Sequence, residues 1–249
     1  MKWTLALLLA LALAGCSGGM TSVQRAAIDQ ALATAPGQAQ PSRLVAVELA
    51  AGRAAREDGQ WVALREYAAP GAVLHLAEGL VEADSWLRGR AEPDAPLRWT
   101  PTAIWMSCDG AAVVSRGEYL RPNGQWGSYA AVWQRQRNGD YRWAYATGGV
   151  NSELTARKQR TAQRVGQDGE IVVEASGMIS GEVADCQSSA TPPQPPAGAS
   201  VSADRTLSWQ WSQQADGGRL FQASELTGGQ WQPVLSLEVG SNGEVLSAE

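Results

Sequence analysis

The sequence predicts an α+β protein in which N-terminal helices cover a curved antiparallel sheet and further β-strands follow towards the C-terminus. Apolar residues recur at helical spacing between residues 41 and 88. From Leu97 to Asn151 the pattern changes to period two, and this stretch holds five of the eleven tryptophans. Alternation interrupted by turn signals is typical of an antiparallel meander with one buried face. The turn signals are Asp109-Gly110, Asn123-Gly124 and Asn138-Gly139-Asp140.

The N-terminus has the features of an export signal. Lys2 precedes the apolar run Leu5–Ala14, which at about 1.5 Å per residue is too short to cross a bilayer core of about 30 Å. The run ends in Leu13-Ala14-Gly15-Cys16, which resembles the lipobox of bacterial lipoproteins. The resemblance implies that Cys16 is diacylated and becomes the mature N-terminus, and Ser17 implies sorting to the periplasmic face of the outer membrane. An ordinary cleaved signal peptide is the alternative, and it leaves Cys16 without a role.

Two helices are predicted after the leader. The signal peptide is assigned to residues 1–15, and a tether rich in Gly, Ser, Ala and Gln is assigned to residues 16–40. A helix then follows Pro41, with Ser42 as its N-cap. Leu44, Val47, Ala51 and Ala54 are predicted to form its apolar stripe. Glu48, Gly52 and Arg56 would then lie on the opposite side.

The second helix begins at Asp58, whose carboxylate is a good N-cap, and Pro70-Gly71 is expected to end it. A short strand over Ala72–Leu76 follows. Glu82–Arg88 then predicts a last short helix before the meander.

The meander itself predicts one aromatic face. Tyr129, Ala131 and Trp133 alternate with polar or small residues, and Tyr141, Trp143 and Tyr145 do the same in the next strand. Strict alternation would place each of these triplets on a single side of the sheet.

This order of elements resembles the nuclear transport factor 2-like, ketosteroid isomerase-like (SnoaL-like) superfamily, whose sheet wraps around its helices as a cone. The resemblance covers residues 41–151 and implies a cone-shaped domain. Many exported members of the superfamily have no assigned activity, so the resemblance bears on the fold more than on a reaction. The resemblance is carried by Glu57-Asp58-Gly59-Gln60-Trp61, Ser107-Cys108-Asp109-Gly110, Ser115-Arg116-Gly117, Asn123-Gly124-Gln125-Trp126-Gly127-Ser128-Tyr129 and Val132-Trp133-Gln134-Arg135.

The remaining chain is predicted as a basic connector and a C-terminal β extension. Residues 152–169 form the connector, which is either a solvated segment or a contact for anionic lipid. Residues 170–249 form the extension, with a Pro-rich linker at 191–197. Because three strands after residue 200 cannot enclose a core alone, their apolar face is expected to dock on the first unit.

Cysteine usage predicts one disulfide. With Cys16 reserved for lipid, Cys108 and Cys186 are the other two cysteines of a chain expected in an oxidising compartment. Two buried free thiols are the alternative.

Several function classes are disfavoured. The formal net charge of −5 leaves no basic footprint for nucleic acid. His75 is the single histidine, and its place between Leu74 and Leu76 favours a packed residue over a catalytic one. No metal-ligand spacing and no Gly-rich phosphate loop is present, so neither a metal nor a cofactor is predicted.

The superfamily's isomerases use a carboxylate base among aromatic side chains, and the resemblance therefore directs attention to acids in the meander. Glu118 is the one candidate general base, and an ion pair with Arg116 on the outer sheet face explains it as well. An aromatic set provides the candidate lining of an apolar ligand pocket, or alternatively the core. The set is Trp105, Tyr119, Tyr129, Trp133, Trp143 and Tyr145.

These observations favour a lipid-anchored envelope lipoprotein that is non-catalytic and binds a small apolar ligand or a partner protein. The alternative is an isomerase or hydrolase of the ketosteroid isomerase-like type that uses an acid in the cone. Homodimerisation through the sheet is a further expectation.

Overall fold

The computed structural model describes residues 39–167, 178–186 and 193–248. The predicted signal peptide, the tether up to residue 38, the apolar residues 171–173 and the first residues of the Pro-rich linker lie outside these ranges. No helix in the described ranges is long and apolar enough to cross a membrane.

Three helices precede or interrupt the first strands, and their ends differ from the predicted ones. The helices are α1 (Pro41–Glu57), α2 (Gln60–Glu66) and α3 (Ala83–Arg88). Pro41 occupies the first turn of α1, so Ser42 does not cap it. Asp58 does not cap α2 either, because the Glu92 carboxylate accepts the backbone N–H groups of Trp61 and Val62, each at 3.0 Å.

A mixed seven-stranded sheet follows. It contains β1 (Ala68–Leu76), β2 (Gly79–Glu82), β3 (Arg98–Met106), β4 (Ala112–Leu120), β5 (Trp126–Arg135), β6 (Tyr141–Val150) and β7 (Ser180–Val183), in the spatial order β2-β1-β6-β5-β4-β3-β7. The predicted meander is β3 to β6, and all three predicted turn signals lie between its strands. The sheet is not wholly antiparallel as predicted, because β1 pairs with β6 and β7 pairs with β3 in parallel. These pairings join segments that are distant in sequence, which short-range turn signals do not report.

Pro70 and Gly71 lie inside β1 and do not end α2, which stops at Glu66. The pairing of β1 with β6 shifts between Ala68 and Val73, so the two residues occupy an irregular part of the strand. Proline lacks the N–H group that a regular ladder needs, and this irregularity accommodates it.

Two β-bulges change which side chains face which way. Trp99 pairs with Tyr119 whereas Trp105 pairs with Val114, so β3 uses one extra residue between them. In β6, Trp143 pairs with Trp133 whereas Tyr145 pairs with Val132. An extra residue inverts the alternation beyond it. Trp105 and Tyr145 therefore face away from the side that carries the other predicted aromatics.

The helix-facing side of the seven-stranded sheet packs on α1 and α3 through one core cluster. The opposite side packs on a second sheet through another cluster, so the sheet has two buried faces where the alternation predicted one. The second sheet contains β8 (Ser200–Val201), β9 (Leu207–Gln213), β10 (Arg219–Thr227), β11 (Gln230–Val239) and β12 (Val245–Ala248), in the order β12-β11-β10-β9-β8. Phe221 of β10 is fully buried there and stacks on Tyr145, with ring centroids 5.2 Å apart.

The segment predicted as a basic connector is helical over Ser152–Gln167, here called α4. The Asn151 side chain accepts the Leu154 backbone N–H at 2.8 Å, which is an N-cap bond. Leu154 is buried and anchors the first turn. The sequence does not reveal this helix because charged residues dominate it, and Leu154 is the one buried apolar side chain over residues 152–162.

Cys108 and Cys186 form a disulfide, with Cα atoms 5.1 Å apart. Cys108 follows β3 and Cys186 follows β7, so the bond joins the ends of two paired strands. The alternative of two free thiols is therefore wrong.

Candidate functional site

A partly enclosed cavity of about 250 Å³ lies between α1, the end of α2 and the helix-facing side of the large sheet. Most of its walls are apolar or aromatic. The aromatic lining residues are Tyr67, Trp99, Tyr119, Tyr129, Trp133 and Trp143, and the aliphatic ones include Ala51, Leu64, Leu74, Ala131 and Ala146. Within the described ranges, Glu48 is the one carboxylate among the lining residues.

Glu48 reaches the cavity because α1 is rotated from its predicted orientation. The buried residues of α1 are Leu44, Glu48, Ala51, Gly52 and Ala55. Gly52 faces the Trp99 ring, and a Cβ atom at this position would lie 3.6 Å from the ring, at ordinary van der Waals distance. The residues of α1 that face the sheet next to Glu48 are therefore small. Glu48 is only 1% exposed, and its predicted position on the solvent side of α1 is wrong.

One of the two oxygens of the Glu48 carboxyl group has a hydrogen-bond partner. The Tyr129 hydroxyl donates a hydrogen bond of 2.5 Å to Glu48 Oε2. Glu48 Oε1 is buried and has no hydrogen-bond partner among the described residues. A buried polar atom without a partner is energetically costly, and it marks a place where a bound group would be stabilised.

Burial raises the pKa of Glu48 from 4.5 to about 7, and the polar groups of Ser115, Tyr129 and Trp133 offset part of the rise. Burial also raises the pKa of Tyr129, and the neighbouring Glu48 charge raises it further. Tyr129 therefore stays protonated and remains a donor at neutral pH. The carboxyl group, in contrast, exchanges its proton near neutrality, which is the range in which acid–base groups work best.

The aromatic walls are fixed by their own hydrogen bonds. Trp133 Nε1 donates to Ser115 Oγ at 3.1 Å, and Trp143 Nε1 donates to the Leu64 carbonyl at 2.8 Å. Both indole rings are almost fully buried. With their polar edges satisfied by the protein, these rings present apolar surface to the cavity.

The structure brings together four of the six aromatic residues proposed for a pocket. Tyr119, Tyr129, Trp133 and Trp143 line the cavity. Trp105 and Tyr145 lie on the opposite face of the sheet, in the core shared with the second sheet, because of the two bulges. Trp99 was not included in the candidate set, although the same bulge that removes Trp105 places it in the wall.

Glu118 does not face the cavity. Its carboxylate lies 3.2 Å from Lys158 Nζ and 3.6 Å from Arg157 Nη2, both on α4. It borders a separate polar cavity of about 470 Å³ between α4 and β12. Arg116, its expected partner, donates to the Ala248 carbonyl at 2.7 Å. The position of Glu118 is accounted for by ion pairs with a helix.

His75 is fully buried, and both of its ring nitrogens have partners. Nδ1 lies 2.7 Å from the Tyr145 hydroxyl and Nε2 lies 2.7 Å from Gln213 Oε1 on the second sheet. Burial lowers its pKa. The residue therefore links the two sheets as a packed histidine. The described ranges contain no group of three or more His, Cys, Asp or Glu side chains suited to a metal ion.

Glu48 could have been noticed from a local signal. It lies four residues after Leu44, on the same helical face, and small residues follow it at Ala51, Gly52 and Ala55. Which of two possible stripes is buried depends on the aromatic side chains that the sheet presents, and those are specified elsewhere in the chain.

Comparison with known proteins yields distant structural neighbours. No family model and no curated protein matches the chain. A ketosteroid isomerase candidate from Shewanella frigidimarina NCIMB 400 is 12% identical, with a TM-score of 0.29 over 40% of this chain and 89% of that one. A protein from Kribbella flavida DSM 17836 is 16% identical, with a TM-score of 0.28 over 48% of this chain and 95% of that one. At this similarity neither neighbour identifies a family or an activity. The structure itself shows an α+β protein with a mixed seven-stranded sheet.

Proposed function

We propose that the protein binds a small, predominantly apolar ligand in the cavity beside Glu48. The observation that carries the proposal is a partly enclosed aromatic cavity of about 250 Å³ with one unpartnered buried oxygen. Ligand sites are typically concave and apolar with a few placed polar groups, and occupy about 300–1,000 Å³. The cavity lies just below that range, so the ligand is smaller than a typical drug.

The cavity also fits the cone-shaped domain of the nuclear transport factor 2-like, ketosteroid isomerase-like superfamily, to which we propose that residues 41–151 belong. Two helices, a short helix and a four-stranded meander follow each other in the expected order, and the pair β1 and β2 occupies the place where a single strand over Ala72–Leu76 was expected. The same proposal treats the strands after residue 200 as an extension that covers the outer face of the sheet. Phe221, Leu235 and Leu237 support this reading, since they are buried against that face.

We further propose that the chain is anchored in the cell envelope by lipid on Cys16. The support is the apolar run Leu5–Ala14, the Leu13-Ala14-Gly15-Cys16 sequence and Ser17. Two acyl chains anchor stably where one is marginal. Cys16→Ser should release the protein from the membrane fraction or block its maturation. A wild-type protein that fractionates as soluble material with no added lipid mass would exclude the anchor.

Homodimerisation through the sheet would need a face other than those of the large sheet, because both of its faces are buried within one chain. The outward side of the second sheet is the surface that such a dimer would use. Trp211, although 43% exposed, lies on the inner side, because it pairs with Phe221 and its ring contacts that of His75.

A second candidate function is proton-transfer catalysis, and the observation that supports it is the environment of Glu48. A buried carboxyl with a pKa of about 7 beside a tyrosine hydroxyl has the components of a general base next to a hydrogen-bond donor. Glu48 would remove a proton next to a ligand carbonyl and return it to a second carbon, which moves a double bond. Conversion of 3-cyclohexenone to 2-cyclohexenone tests this mechanism. Activity should be lost in Glu48→Gln. It should be retained in Glu57→Gln, which alters an exposed residue of the same helix.

Binding is tested with benzyl alcohol, a neutral aromatic probe of suitable size, by isothermal calorimetry. The wild type is expected to bind it, and Ala131→Leu is expected not to, because the larger side chain would occupy the cavity where Ala131 now lines it. A circular dichroism spectrum and melting curve would establish that the variant is folded. Equal binding by the two proteins, or binding by neither, would contradict the proposal.

A further inference from the structure

The cavity beside Glu48 has an unbalanced set of charges. Among the residues that the structure describes, Glu48 is its one acidic lining residue, and no lysine or arginine contributes to the lining. The other titratable side chains in the lining are those of Tyr67, Tyr119 and Tyr129. His75 also borders the cavity, but its imidazole is bonded to Tyr145 and Gln213 towards the second sheet. Burial raises the pKa values of Tyr119 and Tyr129 and lowers that of His75, so all three are neutral near pH 7. An anionic ligand would find no counter-charge here.

The unpartnered oxygen specifies what the ligand should offer. Tyr129 donates to Oε2 of Glu48, and Oε1 has no donor at hydrogen-bond distance among the described residues. Ser115 and Trp133 lie close enough to the carboxyl group to lower its pKa. An ionised carboxylate accepts hydrogen bonds and cannot donate them. A buried carboxylate is stabilised most by a donor that also carries positive charge. A ligand N–H group of an ammonium ion meets both requirements.

The walls favour a positive charge as well. Trp99, Tyr119 and Trp143 present aromatic rings to the same cavity. The faces of such rings attract organic cations, more strongly when water is excluded. Aromatic walls and a single carboxylate are the combination that recognises an ammonium group attached to an apolar body.

We propose that this cavity selects small organic amines, bound as ammonium ions with Glu48 Oε1 as the acceptor, over neutral and anionic molecules of the same shape. The inference rests on the proposed function, because it names the ligand class of the same site. Binding of the ammonium ion requires the ionised carboxylate, so protonation of Glu48 competes with it.

The test uses three ligands of similar shape: benzylamine, benzyl alcohol and benzoate. Calorimetry at about pH 8 is expected to show at least about tenfold tighter binding of benzylamine than of benzyl alcohol, and no binding of benzoate. At about pH 6 the affinity for benzylamine should fall by about tenfold, because the ionised fraction of a carboxyl with a pKa of about 7 falls by that factor. The affinity for benzyl alcohol should stay within about twofold.

Two variants separate a specific role of Glu48 from a structural one. Glu48→Gln should lose the preference for benzylamine over benzyl alcohol, while Glu57→Gln should keep the wild-type preference. Tyr129→Phe removes the donor to Oε2, which raises the pKa of Glu48 further. In this variant the pH at which benzylamine binding is half-maximal should therefore move upward. A merely structural role of Tyr129 would not move this midpoint.

The outcomes distinguish the inference from the proposed function. Benzyl alcohol binding as tightly as benzylamine, or a preference for benzylamine that persists in Glu48→Gln, would overturn the selection of amines and leave the ligand site intact. Absence of binding by all three ligands would overturn both. Tighter binding of benzoate than of benzylamine would also refute the inference.

Discussion

Replacing the buried acid of the cavity should change how the stability of the protein depends on pH. Burial raises the pKa of Glu48 from 4.5 to about 7 in the folded protein. The folded state therefore holds this proton more tightly than the unfolded chain does. Between these two pH values unfolding releases the proton, so the stability contributed by Glu48 is complete below about pH 4.5 and is lost as the pH rises to about 7.

The size of the effect follows from the shift. One pKa unit corresponds to about 1.4 kcal/mol, so the free energy of unfolding should fall by about 3 kcal/mol across this window. Glu48→Gln removes the ionisation and keeps an amide oxygen that can accept the Tyr129 hydroxyl. The variant should match the wild type at about pH 4 to within about 1 kcal/mol and exceed its stability by about 3 kcal/mol at about pH 8.

Urea denaturation followed by tryptophan fluorescence measures this difference, with an unchanged m-value as the check on two-state unfolding. Glu57→Gln on the exposed end of α1 is the matched control. Burial also raises the pKa of Glu225 to about 7 and lowers that of His75, but both residues are present in each protein, so their effects cancel in the comparison. Parallel pH profiles of the wild type and Glu48→Gln would refute the raised pKa of the buried Glu48 carboxyl.

Three further predictions concern the rest of the fold. Phe221→Ala should lower the free energy of unfolding by about 3–5 kcal/mol, because the ring is fully buried between the sheets. Leu246→Ala, at a residue 62% exposed, should change it by less than about 0.5 kcal/mol. Similar losses in the two variants, measured by denaturation, would contradict the two-sheet core. Replacing both Cys108 and Cys186 by serine should lower stability by up to about 4.5 kcal/mol in the chain-entropy account, since the bond spans a sequence separation of 78, and reduction of the wild type should reproduce the loss. Glu118→Gln should lower the free energy of unfolding by no more than about 1 kcal/mol, and by less in high salt, because its carboxylate pairs with α4 outside the cavity. Benzyl alcohol binding should be unchanged. A loss of binding would indicate that Glu118 belongs to the ligand site.

The meander was predictable because its signals are local. Asn123-Gly124 and Asn138-Gly139 each occupy a turn, with both glycines at positive φ, which glycine adopts without steric cost. Between them, Tyr129 and Trp133 face the helices as their alternation predicts. The second strand-rich region was also visible from its alternating tryptophans.

What could not be predicted depends on pairing between distant segments. A bulge is an excess of one residue relative to a partner strand, so neither strand of the pair displays it alone. For this reason Trp105 and Tyr145 were expected on the wrong face. The same limitation affected Glu48, since the burial of one α1 stripe is decided by Trp99 and other residues of the sheet. The helix after Asn151 was missed because its cap and its buried Leu154 are isolated among charged residues.

The most direct test of the ligand site is an NMR titration of the Glu48 side-chain carboxyl carbon, assigned by its absence from Glu48→Gln. The carboxyl should titrate with a pKa of about 7, and its resonance should move when benzyl alcohol is added. A pKa near the ordinary value of 4.5 and a resonance that benzyl alcohol leaves unchanged would contradict a buried carboxyl in an accessible apolar cavity.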